Sequence, residues 1–222
     1  ISRRGLLRNA ATGSLGVMAL GSLGPVALAD KKPRDLALKG NVHHSVARWT
    51  FDFLSLEELC QLVRQIGFSA IDLVGPDQWH ILKRHGIDSS MCNGAALVES
   101  YRRHIDLVSE AGYKNLICFS GNARGMTPEE GLANAEEGLK KVLGHAEKKG
   151  VTLQMELFNS KIDHPDYLCD NSAWGIALCK RLDSPNFKLL YDIYHMQISE
   201  GDVIRTIREN YQYFGHYHTA GV

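Results

Sequence analysis

The chain has 222 residues, 44% of them hydrophobic, and its 25 Lys and Arg balance 25 Asp and Glu. That is enough apolar material for one well-buried core, and the lack of a basic run argues against a nucleic-acid partner, which demands a positive face. The five cysteines are odd in number and form no C-x-x-C pair, so they read as buried free thiols and not as a disulfide framework.

Residues 1–29 do not read as part of the fold. Ser2-Arg3-Arg4-Gly5-Leu6-Leu7 leads into a Gly- and Ala-rich stretch that carries no charge after Arg8 and closes on Ala27-Leu28-Ala29, a small-x-small cleavage pattern. The segment resembles a twin-arginine export signal, and an ordinary secretory signal is the alternative. It is too short and too rich in glycine for a stable membrane anchor. The expected organisation is a signal over 1–29, a linker over 30–40 and a folded domain over 41–222, exported to the periplasm or beyond the cell. Without the signal, 22 basic residues face 25 acidic ones, a net charge of −3. Free thiols suit a protein folded in the cytoplasm and exported afterwards, a route that also lets a metal be loaded before export.

From position 41 a short β-like run and an amphipathic helical stretch recur in turn. "VHHSVARW" (42–49) precedes a helix over 55–67, where Leu56, Leu59, Cys60 and Val63 keep helical spacing and Gly67 suits the C-terminus. "SAIDLVG" (69–75) precedes a helix expected from Pro76 to Gly86. "IDSSMCNGA" (87–95) reads as a third strand before a helix over 97–112. "YKNLICFSG" (113–121) precedes a helix over 127–150, opened by Thr127 with Pro128 and Glu130 in capping-box positions. "VTLQMELFN" (151–159) leads through a loop to a helix over 173–183. "NFKLLYDIYH" (186–195) leads to a helix over 200–215, and "HYHTAGV" (216–222) is the last strand.

Strands alternating with helices predict a parallel sheet covered by helices. Seven strands and six βα units, with no Gly-rich dinucleotide fingerprint after the first strand, favour a (β/α)8 barrel over an open doubly wound sheet. A complete barrel usually takes about 250 residues. The chain is therefore expected to be a fragment clipped at both ends, holding strands one to seven. Its first and seventh strands would then be open edges that favour pairing with other copies, a homo-oligomer.

In such barrels the reactive groups stand at the C-terminal ends of strands, on the inward-facing parity. Glu156 is an inward carboxylate at the end of its strand, where it needs a cation, a proton or donors. A structural Glu paired with Arg or Lys is the alternative. Asp192 shares a face with Leu190, and His195 follows three residues later; Asp-x-x-His can supply a metal ligand and a supporting or substrate contact, or Asp192 can simply cap a helix. His216 and His218 share a face with Tyr217 outward, and His218, nearer the mouth, is the better ligand candidate. Asp72 has inward parity and either orients a ligand or binds a backbone amide. His43, His44 and Arg48 are candidates for the floor or mouth, and "SGNARG" (120–125) for a substrate-facing loop. Asn159 and His164, just past Glu156, are candidate substrate contacts. No Ser-His-Asp order with a nucleophile elbow is present, which argues against a hydrolase.

These motifs resemble the hydroxypyruvate isomerases of the xylose-isomerase-like barrel superfamily, a group that also holds keto-sugar epimerases and a class of apurinic endonucleases. The resemblance is carried by "YDIYHMQISEGDVIRTIREN" (191–210), "GHYHTAG" (215–221) and "MELFN" (155–159), and covers 41–222 in strand order. It implies that Glu156, Asp192 and His218 are three ligands of one divalent metal, with a fourth glutamate on an eighth strand. It further implies that Glu156 belongs to the acid–base pair and that His195 contacts substrate; Asn159 and His216 are candidate substrate contacts from their placement alone. Two carboxylates and an imidazole suit Mg2+ or Mn2+ and admit Zn2+. The implied reaction moves a carbonyl between adjacent carbons through an enediolate, converting hydroxypyruvate to tartronate semialdehyde. A keto-sugar epimerase or a non-catalytic sugar-binding barrel is the alternative. An export signal and the strand "HHSVARWTF" (43–51) both depart from the standard enzymes, and they bear on the substrate more than on the reaction type.

Overall fold

Short strands and amphipathic helices alternate along the chain, and every paired strand runs parallel to its neighbour. The computed structural model describes residues 42–92 and 98–221, so the expected export signal (1–29) and linker (30–40) lie outside the described residues. Strand β1 (Ser45–Ala47) ends in a 3₁₀ turn (Arg48–Phe51) and leads to helix α1 (Leu56–Gln65). There follow β2 (Ala70–Asp72), α2 (Trp79–His85), α3 (Val98–Glu110) and β3 (Asn115–Cys118). Next come α4 (Pro128–Lys149), β4 (Thr152–Glu156), α5 (Ser172–Leu182) and β5 (Phe187–Asp192). Then α6 (Ile193–Ser199), α7 (Val203–Asn210) and β6 (Phe214–His218) close the described chain.

The helix ends follow local chemistry. Ser55 with Glu58, and Thr127 with Glu130, form complete capping boxes that satisfy otherwise unpaired N–H groups. Gly86 and Gly150 end α2 and α4 in the left-handed conformation that glycine adopts without steric cost. Several boundaries differ from expectation; the strand expected over 186–195 ends at Asp192, where α6 begins, and the strand expected over 216–222 is β6, Phe214–His218. Helix α2 begins at Trp79 instead of Pro76, because residues 76–78 turn, with Gln78 N–H donating to the Gly75 carbonyl. The helix expected over 200–215 is α7 followed by a 3₁₀ turn at Tyr211–Tyr213.

The sheet runs β3-β4-β5-β6 in one ladder and β1-β2 in another. The stretch expected as a strand over 87–95 lies between them, and its described part, 87–92, makes only isolated bridges, Ala70 with Asp88 and Cys92 with Leu116. Its side chains compete with the ladder: Ser89 N–H donates to Asp88 Oδ1, Ser89 Oγ to the Met91 carbonyl, and Ser90 Oγ to Asp72. The parallel βα order is that of a (β/α) barrel wall. Its outer core, including Leu59, Val63, Ile105, Leu116, Leu153, Phe187 and Leu189, is sealed between strands and helices. Met91, Ile117 and Leu190, with Leu73 against them, form a separate inner layer. All five cysteines are buried and free, as the sequence implies.

Candidate active site

Three neighbouring strands end in Glu156 (β4), Asp192 (β5) and His218 (β6). The registers place Glu156 opposite Leu190, and Asp192 opposite His218, so the three side chains rise together from the inner layer. His218 Nδ1 lies 2.9 Å from Glu156 Oε1 and 3.7 Å from Asp192 Oδ2. One donor atom from each of the three residues falls within 4.8 Å of the others. Glu156 is 5% exposed, and the Tyr167 hydroxyl donates to its backbone carbonyl at 3.0 Å, which fixes the strand end.

Asp192 is shared between fold and site. Its Oδ1 accepts the N–H groups of Tyr194 and His195 at 2.9 and 3.3 Å and so caps α6, while Oδ2 faces His218. Both readings of this residue from the sequence, helix cap and inward acid, describe one carboxylate.

The local electrostatics are those of a cation site. Burial would lower the pKa of His218, but the hydrogen bonds its ring donates to Asp192 and Glu156 outweigh it and raise the value to about 10. The paired acids therefore hold a proton on the imidazole, a positive charge at the point where their lone pairs converge. Burial raises the Asp192 carboxyl, yet the hydrogen bonds from the His218 side chain and the His195 backbone N–H leave it below the usual carboxylate range. Two carboxylates and one imidazole on rigid strand ends fit a hard or borderline divalent ion.

The site opens into a cavity of about 630 Å³. Its lining combines the polar Glu156, Asp192, His218, His195, His164 and Asp163 with the apolar Trp49, Leu73, Ile117, Phe119 and Phe158. Phe158 stacks on His164 with ring centroids 4.1 Å apart and meets His195 edge-on at 4.8 Å. Burial pushes the His195 pKa down, against the raising influence of Asp192 and Glu156. The aromatic wall is absent from the expectations above. Phe119 and Phe158 follow the last residues of β3 and β4 by one and two positions, and that placement at the strand ends is the signal that marks them.

Two residues expected to touch substrate stand elsewhere. Asn159 is fully buried and outside the cavity wall; its amide bonds to Asp163 and His195. His216 lines a separate polar cavity with His43, His44, Ser89 and Ser90, its Nε2 3.3 Å from Asp72 Oδ2. Asp72 accepts Ser45 Oγ, Ser90 Oγ and the Met91 N–H, so it binds a backbone amide and ties β1 to the bridging stretch. Asp72, His216 and His218 form a second group with donor atoms within 4.8 Å. Arg48 donates to the carbonyls of Phe51 and Leu54 and shapes the turn after β1, and residues 120–125 stay out of the main cavity.

Residues 54–222 match the family described as xylose isomerase-like TIM barrel. A 2-oxo-tetronate isomerase from Cupriavidus necator is 36% identical over 86 residues, 39% of this chain and 33% of that protein. A Mus musculus protein provisionally assigned as a hydroxypyruvate isomerase is 31% identical over 86 residues, 39% of this chain and 31% of that protein. Each alignment thus spans about a third of the relative's length. Among solved structures, a D-psicose 3-epimerase with D-tagatose from Clostridium cellulolyticum H10 superposes with a TM-score of 0.66 at 17% identity, covering 81% of this chain and 73% of that one. At that identity the likeness bears on the fold alone.

Proposed function

The chain belongs to the xylose isomerase-like TIM barrel family, and on that footing we propose that it is a metal-dependent isomerase of a small hydroxy-carbonyl compound, with hydroxypyruvate as the first substrate to test. The single observation that carries this reading is the convergence of Glu156, Asp192 and His218 at the strand ends, facing the cavity. In this reading the three residues hold one divalent cation, Mg2+ or Mn2+, with Zn2+ admissible. The bound cation supplies electrostatic stabilisation of the negative charge that develops on two adjacent substrate oxygens.

The chain's own residues do the rest. Glu156 takes the proton α to the carbonyl, and a carboxylate beside the substrate is the residue type for that transfer. His195 reaches the cavity next to Asp192 and contacts a substrate oxygen. The aromatic side chains of the lining exclude water from the site and strengthen the charge interactions around the substrate. Export by the twin-arginine route belongs to the same proposal, supported by Arg3-Arg4 and by five free thiols that suit folding before export. A neutral ketose, epimerised by the same proton transfer, is the second reading. It is favoured by the cavity of about 630 Å³ and its aromatic wall, which exceed the needs of a three-carbon acid.

The test is turnover of hydroxypyruvate and of ketoses followed by NMR in heavy water. Movement of the carbonyl indicates the isomerase, and inversion at one carbon the epimerase. Glu156→Gln is expected to lower kcat by about 10²–10⁴-fold. A cation-loaded wild-type protein that turns over neither class would sink the enzyme reading.

A further inference from the structure

We infer that Asn159 is a positioning residue that fixes the neutral His195 ring as its Nε2–H tautomer, so that His195 offers the cavity a hydrogen-bond donor. Asn159 makes no contact with the cavity, and its whole bonding capacity is spent inside the protein.

The orientation of its amide follows from its neighbours. Asn159 Oδ1 accepts the backbone N–H groups of Ile162 and Asp163, both at 3.0 Å. Two N–H donors can converge only on an acceptor, so the opposite atom is the amide nitrogen. That nitrogen lies 2.7 Å from Asp163 Oδ2 and 2.7 Å from His195 Nδ1. One of its protons goes to the carboxylate and the other to the imidazole. A nitrogen that accepts an N–H carries a lone pair, so Nδ1 is unprotonated and the ring proton sits on Nε2.

The surroundings hold the ring in this state. Phe158 meets it edge-on at 4.8 Å and Tyr194 at 5.0 Å, so the ring is packed between two aromatic neighbours. Asp163 Oδ2 is 3.9 Å from Nδ1, and Asn159 bonds to both. Without that amide, the nearest group to Nδ1 would be a carboxylate, which attracts a proton to Nδ1 instead. Nε2 lies 4.0 Å from Asp192 Oδ2 and makes no hydrogen bond to any described residue, so its N–H is available in the cavity. Its consequence for catalysis rests on the proposed function: a fixed donor aimed at an oxygen that gains negative charge stabilises the transition state.

The test reads the ring directly. In protein labelled with 15N-histidine and assigned through His195→Gln, two-bond 1H–15N spectra should show Nε2 protonated and Nδ1 bare. Asn159→Asp, which replaces the donor by an acceptor of the same shape, should bring a proton onto Nδ1. It should also lower kcat about 10²-fold, with cation affinity retained. A wild-type ring protonated on Nδ1 overturns the inference, as does an Asn159→Asp protein whose Nδ1 stays bare. If that variant fails to fold, the wild-type spectrum alone decides. Wild-type protein with the expected ring signals but no turnover would count against the proposed function and leave the tautomer assignment standing.

Discussion

His218 Nδ1 lies 3.7 Å from one oxygen of Asp192 while the other oxygen of that carboxylate caps helix α6. A single side chain thus couples the start of a helix to the candidate cation site, and the two roles separate by substitution. Asparagine caps a helix about as well as aspartate, so Asp192→Asn should unfold within about 0.5 kcal/mol of wild type. Its affinity for Mn2+ should fall by more than the ~10–100-fold that losing a mere supporting partner costs. Asp192→Ala should lose the affinity and about 1 kcal/mol of stability besides. Urea unfolding paired with calorimetric Mn2+ titration measures both. Equal stability losses in the two variants would show that the cap does not matter.

Cation binding should be visible as stability. A ligand that binds only the folded state contributes about 2.7 kcal/mol at a hundred times its Kd. Saturating Mn2+ or Mg2+ should therefore raise the melting temperature of wild-type protein, and a chelator should return it to its starting value. His218→Asn removes one of the three converging donors and should abolish most of the shift. A shift of the same size in that variant would place the cation elsewhere.

Much of this arrangement is legible in the sequence, and the exceptions have separate physical causes. The capping boxes at Ser55 and Thr127 and the glycine ends at Gly86 and Gly150 are local, so a short window of sequence contains their whole explanation. Strand parity is local too, and it put Glu156, Asp192 and His218 on inward faces, where the structure brings their donor atoms together. The described stretch 87–92 makes bridges instead of a strand because Asp88, Ser89 and Ser90 bond to their own surroundings, which an apolar pattern does not register. Asn159 and His216 were misplaced for a tertiary reason. Parity names a face, but it does not say which cavity that face lines or whether a neighbouring chain segment has already used the polar atoms. Phe119 and Phe158 keep the inward parity of Ile117 and Glu156, but an apolar residue on that parity reads as core packing and not as cavity lining.

Asp72 makes a prediction about acid stability. Burial opposes its ionisation, but the hydrogen bond and charge of His216 and the hydroxyls of Ser45 and Ser90 leave its pKa below the ordinary aspartate value. A carboxyl with a depressed folded-state pKa contributes stability above its unfolded pKa, about 3.9, and loses it as the pH falls through the folded value. Wild-type protein should therefore lose stability more steeply than Asp72→Asn as the pH drops below about 4. At neutral pH the variant should be weaker by roughly 1–3 kcal/mol, the cost of disturbing a buried hydrogen-bonded group. Parallel acid limbs in denaturation followed by circular dichroism would remove Asp72 from this role.

Gly215 offers the sharpest test of how the site is held in register. It stands in β6 at the irregular step where Phe214 pairs with Leu189 but His216 with Leu190, an extra residue in the manner of a β-bulge. A Cβ added there would meet Gln154 Nε2 at 2.5 Å, Gln154 Oε1 at 2.6 Å and Lys188 Cβ at 2.9 Å. Gln154 cannot easily yield, since it is buried and donates to Asn115 Oδ1 at 3.0 Å, bracing β4 against β3. Gly215→Ala should therefore cost about 1–3 kcal/mol, the usual penalty of overpacking. The strain should also push the end of β6 outward, moving His218 from Glu156 and weakening Mn2+ binding together with stability. Gly215→Ala combined with Gln154→Ala removes the two shortest contacts and leaves Lys188 Cβ at 2.9 Å, so it should recover part of the cation affinity. If the single variant binds Mn2+ as wild type does, β6 is not held through this contact.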